Sequence, residues 1–251
     1  GGLGEVFLAD QLGPLGPVRP VALKRMLPGL SADRETARLF LEEMAIAAQL
    51  NHPNIATTYD FGEVDGDYFL AMEYVEGLAL NKIIQAVGPL PAPAALEIAK
   101  QVADALAHAH SKRVEGRATV HQDVSPHNVM ISREGMVKLL DFGIARAEAA
   151  VLGDRVRAKA SYAAPEQLRG AAPDRRFDLW SLGVVLYEAL TGRRPFEGDD
   201  LMEILRAAEE RQYLPISSLR PEVEPFEELI TRALEPDPEK RWLGAEAFRT
   251  A

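Results

Sequence analysis

His121-Gln122-Asp123-Val124-Ser125-Pro126-His127-Asn128-Val129-Met130-Ile131-Ser132-Arg133-Glu134-Gly135-Met136-Val137-Lys138-Leu139-Leu140-Asp141-Phe142-Gly143 holds two short apolar runs around a polar break. The break, Arg133-Glu134-Gly135, carries a glycine suited to positive φ, so the stretch predicts a β-hairpin. Asp123 and Asn128 precede the hairpin and Asp141 follows it. Because a hairpin returns the chain to its starting point, these three side chains can converge. Two carboxylates and an amide offer oxygen ligands, which Mg²⁺ takes while commonly keeping substrate phosphates in its shell. Phosphoryl transfer is the chemistry this arrangement suggests.

The rest of the composition is compatible with that chemistry and excludes others. With 251 residues, 47% of them hydrophobic, the chain can bury a substantial core. It has no cysteine, which rules out disulfides, thiol catalysis and Cys-based metal sites and fits a reducing compartment. No stretch resembles a signal peptide, and no apolar run is long enough to span a bilayer. The sequence therefore reads as a soluble, cytoplasmic chain. A net charge of −10 argues against a nucleic-acid partner, which would require clustered Lys and Arg. A bound polyanion must be met locally, through metal.

Upstream of the hairpin, Val6–Ala9, Val18–Met26 and Tyr68–Met72 read as short strands. Between them Leu39, Phe40, Met44, Ala47, Ala48 and Leu50 recur at helical spacing from a start at Ser31 or Asp33. From Gly77 onward helices dominate. Ala94–His110 is rich in Ala and Leu, and Phe177–Leu190 is apolar on nearly every face, as in a helix at the centre of a core. Gly192 is placed to stop it. The pattern is α+β: a small β-rich lobe with one long helix over residues 1–75, then a larger, mainly helical lobe over 76–251, with Glu73-Tyr74-Val75-Glu76-Gly77 as the hinge.

The opening stretch resembles the catalytic loop and Asp-Phe-Gly segment of protein kinases, and further matches follow in family order. Gly1-Gly2-Leu3-Gly4-Glu5-Val6 looks like the end of a glycine-rich loop whose backbone approaches phosphates. Val21-Ala22-Leu23-Lys24 resembles the strand whose lysine holds the α- and β-phosphates, and Glu43 suits the acid that pairs with it. Ala164-Pro165-Glu166 is similar to the motif that closes the activation segment. Asp178-Leu179-Trp180-Ser181-Leu182-Gly183 is similar to the start of the central helix, and Arg241 suits the arginine that pairs with Glu166. The resemblance covers essentially the whole chain and implies a bilobal protein-kinase fold with a small antiparallel sheet. It points to a bacterial, eukaryotic-like (Hanks-type) Ser/Thr kinase, and Pro126 and Tyr162-Ala163-Ala164-Pro165-Glu166 favour Ser/Thr over Tyr specificity.

By that resemblance Asp123 is the base for the substrate hydroxyl, Asp141 the main Mg²⁺ ligand and Asn128 a ligand of a second Mg²⁺. His121 and Phe142 are packing residues. Gly1, Gly2 and Gly4 would approach the phosphates of ATP. Adenine would lie between Val6 and Ala22 on one side and Met130 on the other, with backbone groups of Glu73 and Val75 at the hinge and Met72 at the rear of the pocket. The partner implied is a protein substrate with a Ser or Thr acceptor. Lining by Met130 is equally a packing role.

Three departures carry the remaining information. Gln122 stands where many kinases have an arginine that a phosphorylated activation loop would neutralise, and residues 144–160 contain no Ser, Thr or Tyr. Both point to activity without phosphorylation of that loop. Ser125 stands where Ser/Thr kinases have a lysine near the γ-phosphate, while Lys159 falls where they have a threonine. The two look exchanged, so Lys159 is expected to reach the catalytic site, with the Ser125 hydroxyl standing in for the threonine. Finally, the chain begins inside the glycine-rich loop, as in a truncated product. The Val6 strand is therefore expected to lack the preceding strand as its hairpin partner and to leave an unpaired sheet edge, nucleotide to bind weakly, and the end near Ala251 to fall within the last helix. These departures also admit a rival of another class, a pseudokinase scaffold without turnover.

Overall fold

The computed structural model describes residues 4–27, 34–114, 117–142 and 159–251. Gly1, Gly2 and the stretch 143–158 lie outside the described residues, as do the side chains of 34–36, 39, 43, 114 and 117. The fold is α+β. Strands β1 (Gly4–Gly13), β2 (Gly16–Met26), β3 (Thr58–Val64) and β4 (Asp67–Glu73) form an antiparallel sheet in the order β1-β2-β4-β3, backed by helix α1 (Arg34–Ala47). Phe40 and Met44 of α1 bury themselves against Met26, Leu70 and Met72 of the sheet. Burying each such side chain contributes about 1.5–3 kcal/mol, so this small cluster suffices to fix the helix on the sheet.

The Val6 strand is β1. It pairs with β2 from Gly4 opposite Met26 to Gly13 opposite Gly16. Among the described residues its other side is the end of the sheet. The strand β3 went unread in the sequence because Thr58–Val64 has no fully buried residue and no alternating apolar face.

Beyond β4 the chain crosses to β5 (Gly77–Ala79), then α2 (Leu80–Val87) and α3 (Ala92–His110). The short ribbon β6 (Arg113–Val114) and β7 (Arg117–Ala118) leads to the expected hairpin, β8 (Val129–Ser132) and β9 (Val137–Leu139). Gly135 has φ 84° there. Strand β5 adds to β8, and a Cβ on Gly77 would come within 1.9 Å of the Ile131 carbonyl oxygen. Only glycine permits that approach, so Gly77 sets how closely the connection from β4 meets the hairpin.

Among the described residues the further α-helices are α4 (Pro165–Leu168), α5 (Arg175–Thr191), α6 (Leu201–Glu209), α7 (Ile216–Leu219), α8 (Glu227–Ala233) and α9 (Ala245–Thr250). Helix α5 is the axis of the core, with every residue from Phe177 to Tyr187 buried. Asp174 caps its start by accepting from the Arg176 amide, and Gly192 ends it at φ 72°. The Arg241 guanidinium grips Glu166 through two hydrogen bonds, 2.6 and 2.8 Å, and ties the far end of the chain to α4.

Candidate active site

The pairing register places the first group of candidate residues. In an antiparallel sheet, directly opposed residues and every second residue along a strand share a face. Val6 lies opposite Lys24 and Leu8 opposite Ala22, while Ala22 lies opposite Met72 and Lys24 opposite Leu70. Val6, Leu8, Ala22, Lys24, Leu70 and Met72 therefore line one face. Along it Lys24, Leu70 and Met72 are buried, whereas Val6 and Leu8 are 54% and 66% exposed. This exposed apolar surface, running on from Ala22, suits a flat aromatic ligand. Leu8 was not singled out in the sequence, although its spacing from Val6 marks it.

At the inner end of that face the Lys24 ammonium, 1% exposed, contacts Asp141 Oδ2 at 3.2 Å. The side chain of Glu43 lies outside the described residues. Lys24, Phe40, Met44, Leu70, Met72 and Phe142 wall a cavity of about 30 Å³ behind Met72. At the hinge, the Glu73 amide donates to the Thr57 carbonyl at 2.8 Å, so a ligand could meet only the carbonyl of that residue. The Glu73 carboxylate pairs with Lys138 at 2.8 Å, which joins the sheet to the hairpin. Val75 is buried and Met130 half-buried.

The loop from His121 to Asn128 is held from below by α5. Asp178, fully buried, accepts from the backbone amides of His121 at 2.8 Å and Gln122 at 2.7 Å, and lies 2.8 Å from His110 Nε2. These bonds fix a loop in which Gln122 adopts φ 66°, a left-handed conformation that a non-glycine residue holds only when its surroundings enforce it. Asp141 is similarly held at φ 55°. His121 donates from Nε2 to the Leu140 carbonyl at 2.8 Å and accepts the Asp123 amide on Nδ1 at 3.2 Å. A carbonyl only accepts and an amide only donates, so the imidazole has one tautomer and no nitrogen left for proton transfer. Its ring packs on Phe142 at 4.5 Å between centroids.

Asp123, Asn128 and Lys159 meet at a single oxygen. Asp123 Oδ2 accepts from Asn128 Nδ2 and from the Lys159 ammonium, both at 2.9 Å. Among the described residues this leaves Asp123 Oδ1 open to a substrate proton. Asn128 Nδ2 also donates to the Asp123 carbonyl at 2.8 Å, which leaves the Asn128 oxygen available to a cation. Among the described residues no three His, Cys, Asp or Glu side chains form a metal cage. The available donors, the Asn128 amide oxygen and the Asp141 carboxylate, fit Mg²⁺ that completes its shell with phosphate and water. Ser125 is buried, and its carbonyl accepts the Asn128 amide at 3.0 Å. Among the described residues Lys159 hydrogen-bonds Asp123, and no such bond comes from the Ser125 hydroxyl.

Sequence reasoning missed the support beneath Lys159. The Tyr162 hydroxyl donates to Glu188 Oε2 at 2.6 Å, Arg194 reaches Ser161 Oγ at 3.3 Å, and Gln167 donates to the Gln122 carbonyl at 2.8 Å. Burial pushes the Glu188 carboxyl above the usual carboxylate range. A carboxylate within the apolar run Phe177–Leu190 was the available signal. Burial also keeps His127 below the usual imidazole value, and among its neighbours Asp123 acts in the opposite direction, while Lys82, Lys159 and Arg194 reinforce the shift.

The chain matches the family model described as Protein kinase domain over residues 1–250. It is 39% identical to the tyrosine-protein kinase MasK of Myxococcus xanthus, over 100% of this chain and 41% of that protein. It is 37% identical to the serine/threonine-protein kinase PrkC of Bacillus subtilis, over 98% of this chain and 37% of that protein. The chain thus spans about two fifths of the length of these curated relatives. Among solved structures, the Mycobacterium tuberculosis PknI kinase domain superposes with a TM-score of 0.77 at 31% identity, covering 100% of this chain and 89% of that one.

Proposed function

The chain belongs to the protein kinase family, and on that premise we propose that it transfers the γ-phosphate of ATP to Ser or Thr hydroxyls of proteins. The observation that carries this reading is the meeting of Asn128 and Lys159 on one Asp123 oxygen while the other oxygen stays open. Asp123 takes the acceptor's proton, and Asn128 and Asp141 would hold Mg²⁺. When bound, the metal neutralises charge on the phosphate oxygens. By the family resemblance Lys24 would orient the phosphates with Glu43 as its partner, and Gly1, Gly2 and Gly4 would approach them. Val6, Ala22, Met72 and Met130 enclose adenine, and Glu73 and Val75 present hinge groups to it. Use of ATP places the domain on the cytoplasmic side, where ATP is found.

The relatives' names divide between tyrosine and serine/threonine. Pro126 and the Tyr162–Glu166 stretch support the latter. Activity is independent of phosphorylation within 144–160, where no residue carries a hydroxyl. The Tyr162–Glu188 and Gln167–Gln122 hydrogen bonds support this, because they anchor the following segment without phosphate. The test is incubation with labelled ATP, Mg²⁺ and a generic protein substrate, with Asp141→Ala as control and a parallel sample treated with phosphatase. Label on Ser and Thr, absent in the control and undiminished by phosphatase, is expected. Nucleotide binding without transfer supports the scaffold reading instead.

A further inference from the structure

Lys159 lies 36 positions beyond Asp123 in the chain, yet its ammonium rests 2.9 Å from the Asp123 carboxylate. Lys24, at the inner end of the sheet face, is already on Asp141. Within the catalytic loop itself, position 125 offers only a small, buried serine. The stretch that carries Lys159 is fastened at several points. Ser161 meets Arg194, the Tyr162 hydroxyl meets Glu188, the Tyr162 carbonyl accepts from Ser181 at 2.8 Å, and Gln167 reaches back to Gln122 beside Asp123.

A transferring phosphoryl group spreads negative charge over its oxygens, and a prearranged donor at that point is worth about 10²–10³ in rate. Resting on the kinase reading above, we propose that Lys159 supplies this charge, so that the transition-state cation comes from the segment after the loop and not from the catalytic loop. In the step, the acceptor oxygen forms a bond to the γ-phosphorus as the bond to the β–γ bridging oxygen breaks. That electron pair leaves with ADP, the hydroxyl proton passes to Asp123, and Lys159 keeps its own proton throughout. Positions 125 and 159 are then interchangeable sites for one lysine.

The experiment compares wild type with Lys159→Ala and with the double exchange Ser125→Lys/Lys159→Thr. Lys159 is 39% exposed, so its truncation leaves the core intact, and an unchanged melting temperature checks this. Lys159→Ala should lower kcat about 10²–10³-fold with little change in the KM for ATP, and the double exchange should restore most of the rate. A second readout needs no turnover: the extra melting-temperature gain that aluminium fluoride adds to that of Mg·ADP alone should vanish in Lys159→Ala and return in the exchange. The gain from a non-hydrolysable ATP analogue should persist in all three. Unchanged kcat in Lys159→Ala, or an exchange variant no better than it, overturns this role while leaving the kinase reading intact. A wild-type chain that transfers nothing overturns both.

Discussion

The Lys24 ammonium lies 3.2 Å from Asp141 Oδ2, with Lys24 1% exposed and Asp141 23% exposed. The asymmetry decides what removing the lysine does. A methionine of similar length fills the buried position, and the partly exposed carboxylate can recover hydration, so little stability is lost. The phosphate contact proposed for Lys24 is lost entirely. Lys24→Met should keep its melting temperature within a few degrees while kcat/KM for ATP falls about 10²-fold. Thermal melts read beside initial rates check this, and an unfolded variant or an unaffected rate would contradict it.

Glu166 and Arg241 behave in the opposite way. The Arg241 side chain is fully buried, stacked near Trp180 and held by both Glu166 oxygens, with carbonyls as its other partners. Glu166→Gln leaves the guanidinium charge buried without a counter-charge, which costs about 3–5 kcal/mol. Urea denaturation should show that loss, and a loss below about 1 kcal/mol, the range of surface pairs, would mean that the pair is not effectively desolvated.

Glu188 makes stability depend on pH in a defined direction. Burial raises its folded pKa above the unfolded one, so its favourable contribution is present at acid pH and is lost as pH rises through the raised value. Glu188→Gln keeps the shape and removes the titration. The variant should therefore gain stability over wild type as the pH is raised from acid to neutral, with Tyr162 still hydrogen-bonded. A stability difference independent of pH would show that Glu188 does not titrate in this way.

The sequence made the hairpin and the central helix legible because each rests on local chemistry: a turn glycine and apolar periodicity. The approach of Lys159 to Asp123 was legible only as an irregularity at two positions. Strand β3 was hidden because its faces are unevenly buried. Glu188, Arg194 and Gln167 were hidden because their roles depend on which elements α5 and α4 meet in space, a non-local fact that no spacing encodes. The Asp178 carboxylate was read as part of a helix start, but its hydrogen bonds to the His121 and Gln122 amides make it the fixture of the catalytic loop.

The most direct measurement of the central claim is the single-turnover rate of Asp123→Asn with Mg·ATP and a protein substrate. The asparagine keeps the shape of the side chain that Asn128 and Lys159 contact but cannot take a proton. The account predicts a fall in rate of about 10²–10⁴-fold with nucleotide affinity and melting temperature preserved. A variant that transfers phosphate as fast as wild type would contradict it.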